Sequence, residues 1–323
     1  MGYEVDFFTV GDDKPGDAIC MRYGNLHGKR NEQQIVVIDG GTLESGKELI
    51  SRILNDYKTN SIDAVFLTHP HQDHMMGLFE VFEELHVNHF FTAIPWNHSK
   101  SITSFLERKN ISQNSIRRYL KKDLDDLKNL IQVAERKHVK VIELFSDDFT
   151  NPKSEVVVLG PSRKFYTHCM AELLDNNTSY SKKNDIDPVN KSSLIILFQI
   201  YDRHLVFTGD ANASSIILAL RRARQIGIKI FRPYLFKLPH HGSKRNLNPI
   251  IYNNIFGRPT KSNGRKKLAH DEIFAAACTS KNNFDYPDTT VIKELDLRKC
   301  KVITTHQGPK CFHLDSPYFN NAT

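Results

Sequence analysis

The chain has 323 residues, of which 40% are hydrophobic, 25% charged and 10% aromatic, with a formal net charge of +7. That is ordinary globular composition with enough apolar material for a sizeable core, which excludes a disordered or collagenous chain. The positive balance leans towards an anionic partner. Five scattered cysteines without a Cys-x-x-Cys pair read as reduced thiols rather than a disulfide framework or a thiolate metal site.

In chain order, Val5 to Val10 alternates as a strand, and residues 11–16 form a polar loop. Strands follow at Asp17 to Met21 and at Gln34 to Ile38. The latter runs into Asp39-Gly40-Gly41-Thr42, where the paired glycines permit a sharp reversal. Residues 44–58 carry helical spacing, with Leu49, Ile50, Ile53, Leu54 and Tyr57 as the apolar set. A strand at 63–67 leads directly into His69-Pro70-His71-Gln72-Asp73-His74. Four potential metal ligands thus lie within six residues at the end of an apolar run. Alternation in an extended segment lets His69 and His71 point the same way, and a turn into helix at Asp73 brings that carboxylate and His74 beside them.

Residues 77–86 continue as helix and 89–94 as a strand. Residues 101–138 read as one long polar helical region whose stripe is Phe105, Ile116, Leu120, Leu124, Leu127, Leu130 and Val133. Its Arg117, Arg118, Lys121 and Lys122 precede Asp123, Asp125 and Asp126, as on a solvated face. Strands return at 140–144 and 155–161. The Asn-, Ser- and Lys-rich stretch 175–191 reads as a loop, and 193–200 with 204–208 as a hairpin. The hairpin ends in Gly209-Asp210, followed by a helix over 213–225. A strand at 234–238 ends in Pro239-His240-His241-Gly242-Ser243. Residues 244–267 read as a basic loop holding Lys244, Arg245, Arg258, Lys261, Arg265, Lys266 and Lys267. Strand and helix alternate again from 273 to 315. The N-terminus has no basic and apolar leader pattern and no apolar stretch nears the roughly 18 residues needed to span a bilayer, so a cytoplasmic protein with no membrane association is expected.

Three separated segments therefore share one design, an apolar strand that stops at metal-ligand residues: 65–68 into the histidine cluster, 205–208 into Asp210, and 235–238 into His240 and His241. At this point the chain resembles the metallo-β-lactamase fold superfamily, whose H-x-H-x-D-H signature matches His69, His71, Asp73 and His74. More narrowly it resembles the hydrolase domain of ComEC-type DNA-uptake proteins. The matching pieces are Val10-Gly11 with Gly16-Asp17-Ala18, Ile38 to Gly41, Asn190 with Ser193-Leu194, the T-G-D ending at Asp210, Leu238 to Ser243, and Asn282 to Pro287.

The resemblance implies an α/β fold, a four-layer αββα sandwich with a helical insertion at about 101–138, in a single domain over 1–323. It implies one or two ions, Zn²⁺ or Mn²⁺ given the absence of thiolates. His69 and His71 would hold the first ion and Asp73, His74 and His240 the second. Asp210 would bridge them, and His241 would be a further ligand or a proton donor. Asp73 would also orient the attacking hydroxide, with Asp39 or Thr68 steadying a ligand imidazole. The superfamily's third histidine for the first ion is missing: the loop after Val156 to Leu159 reads Gly160-Pro161-Ser162, and the nearest histidine, His168, reads as a surface residue. The expected activity is metal-dependent phosphodiester hydrolysis, with DNA as substrate and Lys244, Arg245, Lys266 and Lys267 holding phosphates. Two alternatives stand beside it: a small-molecule hydrolase for a lactone, thioester or cyclic nucleotide, and an effector subunit that docks a protein partner through 101–138.

Overall fold

The computed structural model describes residues 1–106, 112–178, 187–259 and 272–317. The first sheet begins with β1 (Gly2–Phe7), β2 (Ala18–Gly24), β3 (Gln33–Gly40), β4 (Ser61–Phe66), β5 (His86–Phe91) and β6 (Lys140–Ile142). The second comprises β7 (Val156–Gly160), β8 (Ile195–Ile200), β9 (Arg203–Phe207), β10 (Leu235–Lys237), β11 (Phe274–Ala277) and β12 (Lys301–Thr304). The last strand, β13 (Lys310–Leu314), returns to the first sheet and pairs antiparallel with β1. Each sheet joins an antiparallel part to a parallel part. Parallel pairing runs from β3 through β6 in one sheet and from β9 through β12 in the other.

The inner faces of the sheets meet through Phe7, Phe66, Phe198 and Phe207, with ring centroids 6.4 Å apart for Phe7–Phe207 and 6.1 Å for Phe66–Phe198. One hydrophobic core therefore draws on both sheets. It extends to α1 (Leu43–Asn55) and α2 (Gln72–Glu84) on the outer face of the first sheet, through Leu49, Ile53, Leu78 and Phe82. A second core, with Val157, Leu197, Val206 and Phe236, lies under helices on the far side of the second sheet. Helix, sheet, sheet, helix is the expected four-layer metallo-β-lactamase sandwich. No helix among the described residues is long and apolar enough to cross a membrane.

The helical insertion differs from its sequence reading. In place of one long helix there are α3 (Ser99–Phe105), α4 (Gln113–Asp123) and α5 (Asp125–Arg136), with Leu124 at φ −120°, ψ 45° breaking the last two apart. The apolar stripe divides at that break. Ile116 and Leu120 join Ile102, Phe145 and Met170 in a third small core, whereas Leu127, Leu130 and Ile131 pack into the main one. Phe105 lies 41% exposed against the His168 ring.

Two stretches read as loops also contain helix. The third small core rests partly on α6 (Arg163–Thr178), which runs into the predicted 175–191 loop, and α7 (Pro188–Lys191) closes that stretch. After α8 (Ala213–Gln225), residues 244–267 contain α9 (Pro249–Ile255), capped where the Asn248 side chain accepts the Ile251 N–H at 3.0 Å. Helix α10 (Thr289–Asp296) is capped in the same way by Asp288. Lys261, Arg265, Lys266 and Lys267 lie outside the described residues.

Candidate metal centre

The site forms where β3, β4, β9 and β10 end, which is where parallel strands of layered α/β folds leave room for ligands. Helix α2 is brought against it by close backbone contact. A Cβ on Gly77 would lie 2.1 Å from the Gly40 carbonyl, so only glycine lets the helix approach the turn after β3. The Gly77 N–H donates to the Gly41 carbonyl at 3.0 Å, and the Gly41 N–H donates to the His74 carbonyl at 3.2 Å. The loop before β2 packs on the same helix end, where the Asp17 N–H donates to the Asp73 carbonyl at 3.2 Å.

Asp39 is wholly buried with φ +57°, a left-handed conformation that aspartate tolerates better than most residues. Its carboxylate accepts the Thr68 N–H at 2.7 Å and the Thr68 hydroxyl at 2.6 Å, and its Oδ2 lies 2.8 Å from His74 Nδ1. The Thr68 hydroxyl has one proton and gives it to Asp39, so at 3.0 Å it accepts from His69 Nδ1. That fixes the His69 tautomer with a lone pair on Nε2. His74, held through Nδ1 by Asp39, turns Nε2 towards Asp210 Oδ1 at 3.5 Å.

His69 Nε2, His74 Nε2 and Asp210 Oδ1 are buried, and none has a hydrogen-bond partner. These same residues form a group whose ligand atoms lie within 4.8 Å of one another. Buried polar atoms are normally satisfied, and these three, with His74 Nε2 3.5 Å from Asp210 Oδ1, lie close enough together for one ion to take all of them. Overlapping groups are formed by Asp73, His74 and His241, and by Asp17, Asp210 and His241. Imidazole and carboxylate donors suit Zn²⁺ or Mn²⁺, so the residues fit the expected cofactor.

His240 and His241 both have positive φ, +48° and +56°, in a tight turn after β10. The turn separates them. The His241 side chain is 2% exposed and its Nε2 lies 3.7 Å from Asp210 Oδ2, whereas His240 is 36% exposed with Nε2 3.9 Å from the same oxygen. The structure thus groups His241, not His240, with the ligand-bearing residues. His71 is outside these groups, and its Nε2 lies 3.0 Å from Asp187 Oδ2. His168 is on the surface beside Glu172, as expected.

Two charged residues in the centre carried no role in the sequence reading. Lys237, the last residue of β10, is 1% exposed. Its ammonium pairs with Asp17, lies 3.6 Å from Asp210 Oδ1 and donates to the Gly209 carbonyl at 2.8 Å. Burial favours the neutral carboxyl, but the Lys237 charge and His241 hold Asp17 down to about 2. Asp210 is likewise held well below the carboxylate range, because the charges of His74, His241 and Lys237 outweigh its burial. Burial, with His74 nearby, pushes His69 well below the usual imidazole range, which keeps it neutral. The available signal for both residues was position: Lys237 sits just before the Pro-His-His turn, and Asp17 follows the Gly16 that packs on Asp73.

Outside the buried groups, a groove of about 680 Å³ is lined by His240, Lys244, Arg245, Asp187, Tyr286 and Asp288, among others. The Tyr286 ring lies 10° from parallel with His240. Lys244 Nζ is 3.3 Å from Asp288.

Residues 30–110, the segment that carries the histidine cluster, match the Metallo-beta-lactamase superfamily. No curated protein matches the chain. Among solved structures, the chain is similar to Zn²⁺-bound PqqB from Methylobacterium extorquens, with 9% identity, coverage of 96% of this chain and 99% of that one, and a TM-score of 0.45. A long form RNase Z from yeast is similar at 12% identity over 95% of this chain and 41% of that one, TM-score 0.41. The diiron β-hydroxylase CmlA from Streptomyces venezuelae is similar at 15% identity over 94% and 44%, TM-score 0.37.

Proposed function

We propose that this chain is a metal-dependent phosphodiesterase that cleaves DNA, using one or two Zn²⁺ or Mn²⁺ ions. The observation that carries the hydrolase reading is the convergence of His69 Nε2, His74 Nε2 and Asp210 Oδ1, all buried and within 4.8 Å of one another. His69, His71, Asp73, His74, Asp210 and His241 would hold the ions. When bound, such an ion polarises a phosphoryl oxygen and lowers the pKa of water towards about 7.

The chain's own groups supply the rest. Thr68 and Asp39 lock the tautomers of His69 and His74. Lys237 keeps Asp17 and Asp210 ionised. Asp73, its side chain 39% exposed, is open enough to orient an attacking water. His240 lines the groove beside the centre, its Nε2 3.9 Å from Asp210 Oδ2, and His241 remains a further ligand or a proton donor to the leaving oxygen. Lys244 and Arg245 on the groove wall hold phosphates, and the resemblance to ComEC-type domains supports DNA as the polymer.

A small uncharged ester such as a lactone is the competing substrate, favoured by Asp187, Asp285 and Asp288, which put negative charge into the same groove wall; a thioester or cyclic nucleotide is tested beside it. The test is incubation with plasmid, linear and single-stranded DNA in Zn²⁺, Mn²⁺ and Mg²⁺, with a His71→Ala/Asp73→Ala double variant as control. Cleavage by the wild type alone supports the nuclease. Intact DNA in every metal alongside turnover of an ester or cyclic nucleotide transfers the assignment to the small substrate.

A further inference from the structure

Each histidine of the 69–74 cluster has one ring nitrogen held by an oxygen. Thr68 Oγ1 lies 3.0 Å from His69 Nδ1, Asp39 Oδ2 2.8 Å from His74 Nδ1, and Asp187 Oδ2 3.0 Å from His71 Nε2. Metal-bound imidazoles generally have such a partner on the remote nitrogen, which fixes ring orientation and raises ligand basicity. Thr68 and Asp39 stand at the ends of neighbouring strands. Asp187 comes from a distant stretch that the sequence reading took for polar loop.

Asp187 is well anchored for that task. Its Oδ1 accepts the Val189 N–H at 2.8 Å and so caps α7, leaving Oδ2 for His71. Helix α7 is in turn tied to the centre. The Leu194 N–H just beyond it donates to the Thr68 carbonyl at 2.9 Å, and Ser193 Oγ accepts the Asp210 N–H at 3.2 Å. The segment that carries Asp187 is thus tied to the two strand ends that carry His69 and Asp210. With Nε2 engaged by Asp187, Nδ1 is the nitrogen His71 has left for an ion.

We propose that Asp187 is the positioning residue for His71, completing a carboxylate–histidine pair that holds the His71 ring through Nε2. The inference rests on the metal-site reading. Its test uses the full chain and three substitutions: Asp187→Asn keeps the cap through its one carbonyl oxygen but turns an NH2 donor towards His71, Asp187→Ser keeps the cap and loses the reach to His71, and Asp187→Ala loses both. Zn²⁺ dissociation constants are measured by competition with a chromophoric chelator, alongside melting of the metal-free proteins and the absorption spectrum of the Co²⁺-loaded ones.

The expected result is an affinity about 10- to 100-fold weaker in all three variants, with an altered Co²⁺ spectrum, the Asn variant included because its NH2 favours the His71 tautomer protonated on Nδ1. The Ser variant should melt like wild type when metal-free. A Ser variant with wild-type affinity and spectrum would overturn the proposal and reduce Asp187 to a helix cap. A wild type that binds no Zn²⁺ at all would instead overturn the metal-site reading beneath it.

Discussion

Asp39 and His74, both wholly buried, meet at 2.8 Å between Oδ2 and Nδ1, and the same carboxylate also receives the Thr68 N–H and hydroxyl. One side chain therefore organises two histidines of the candidate centre, His74 directly and His69 through Thr68. Burial pushes its carboxyl upward, opposed by His74 and Thr68. Replacement by alanine leaves three buried donors unmet. Urea unfolding of metal-free Asp39→Ala should show a loss of roughly 3 kcal/mol or more, and Zn²⁺ affinity should fall at least tenfold. A loss under about 1 kcal/mol with unchanged affinity would mean the network does not hold the ligands.

Lys237 is a buried cation among acids, so its removal leaves only His74 and His241 to offset the charge of Asp17 and Asp210. Metal-free Lys237→Met should lose about 3–5 kcal/mol. Because an ion that binds only the folded state stabilises it by mass action, added Zn²⁺ should restore melting more in this variant than in wild type. Equal gains in both would show that Lys237 does not share its carboxylates with the ion.

Away from the centre, Glu143 ties β6 to the turn after β5, accepting the Ile94 N–H at 2.7 Å and contacting His98 Nε2 at 2.9 Å. Burial favours the protonated acid, but hydrogen bonds from His98, Asn97 and the Ile94 N–H reverse that and lower its pKa. A carboxyl lowered in the folded state binds fewer protons folded than unfolded. Its stabilisation is therefore present above the unfolded value near 4.3 and is lost as pH falls through the folded one. Glu143→Gln should flatten the fall in stability across that acid limb, measured by urea titrations at stepped pH. A parallel downward shift at every pH would contradict this.

Lys244 and Arg245 line the groove. If they hold phosphates, the double Lys244→Ala/Arg245→Ala variant should bind DNA more weakly and lower the slope of log affinity against log salt by about 1 to 2. Hydrolysis of a small chromogenic diester should be unchanged. An unaltered slope would remove both from the binding surface.

How much of this was legible in sequence varied by residue. The strand-then-ligand pattern marked His69, His71, Asp73, His74, Asp210, His240 and His241 as candidates, and the structure brings His69, Asp73, His74, Asp210 and His241 into groups of close donor atoms. The order of His240 and His241 was not legible. Adjacent residues in left-handed conformation diverge in ways only the turn decides, and the buried one is His241. Lys237 was hidden, since a lysine in a strand reads as solvent-facing until Asp17 and Asp210 arrive from elsewhere in the chain. Asp187 was masked by its polar surroundings. The α4–α5 break at Leu124 was missed because the same leucine spacing serves two helices that pack on different cores.

The most direct test of the central claim is metal content per chain, read by mass spectrometry after loading with Zn²⁺ or Mn²⁺ and dialysis, for wild type and for His69→Ala and Asp210→Ala. One or two ions are expected in the wild type and a loss of bound metal in both variants, with folding intact by circular dichroism. A wild type that holds no ion, or variants that hold as many as the wild type, would contradict that claim.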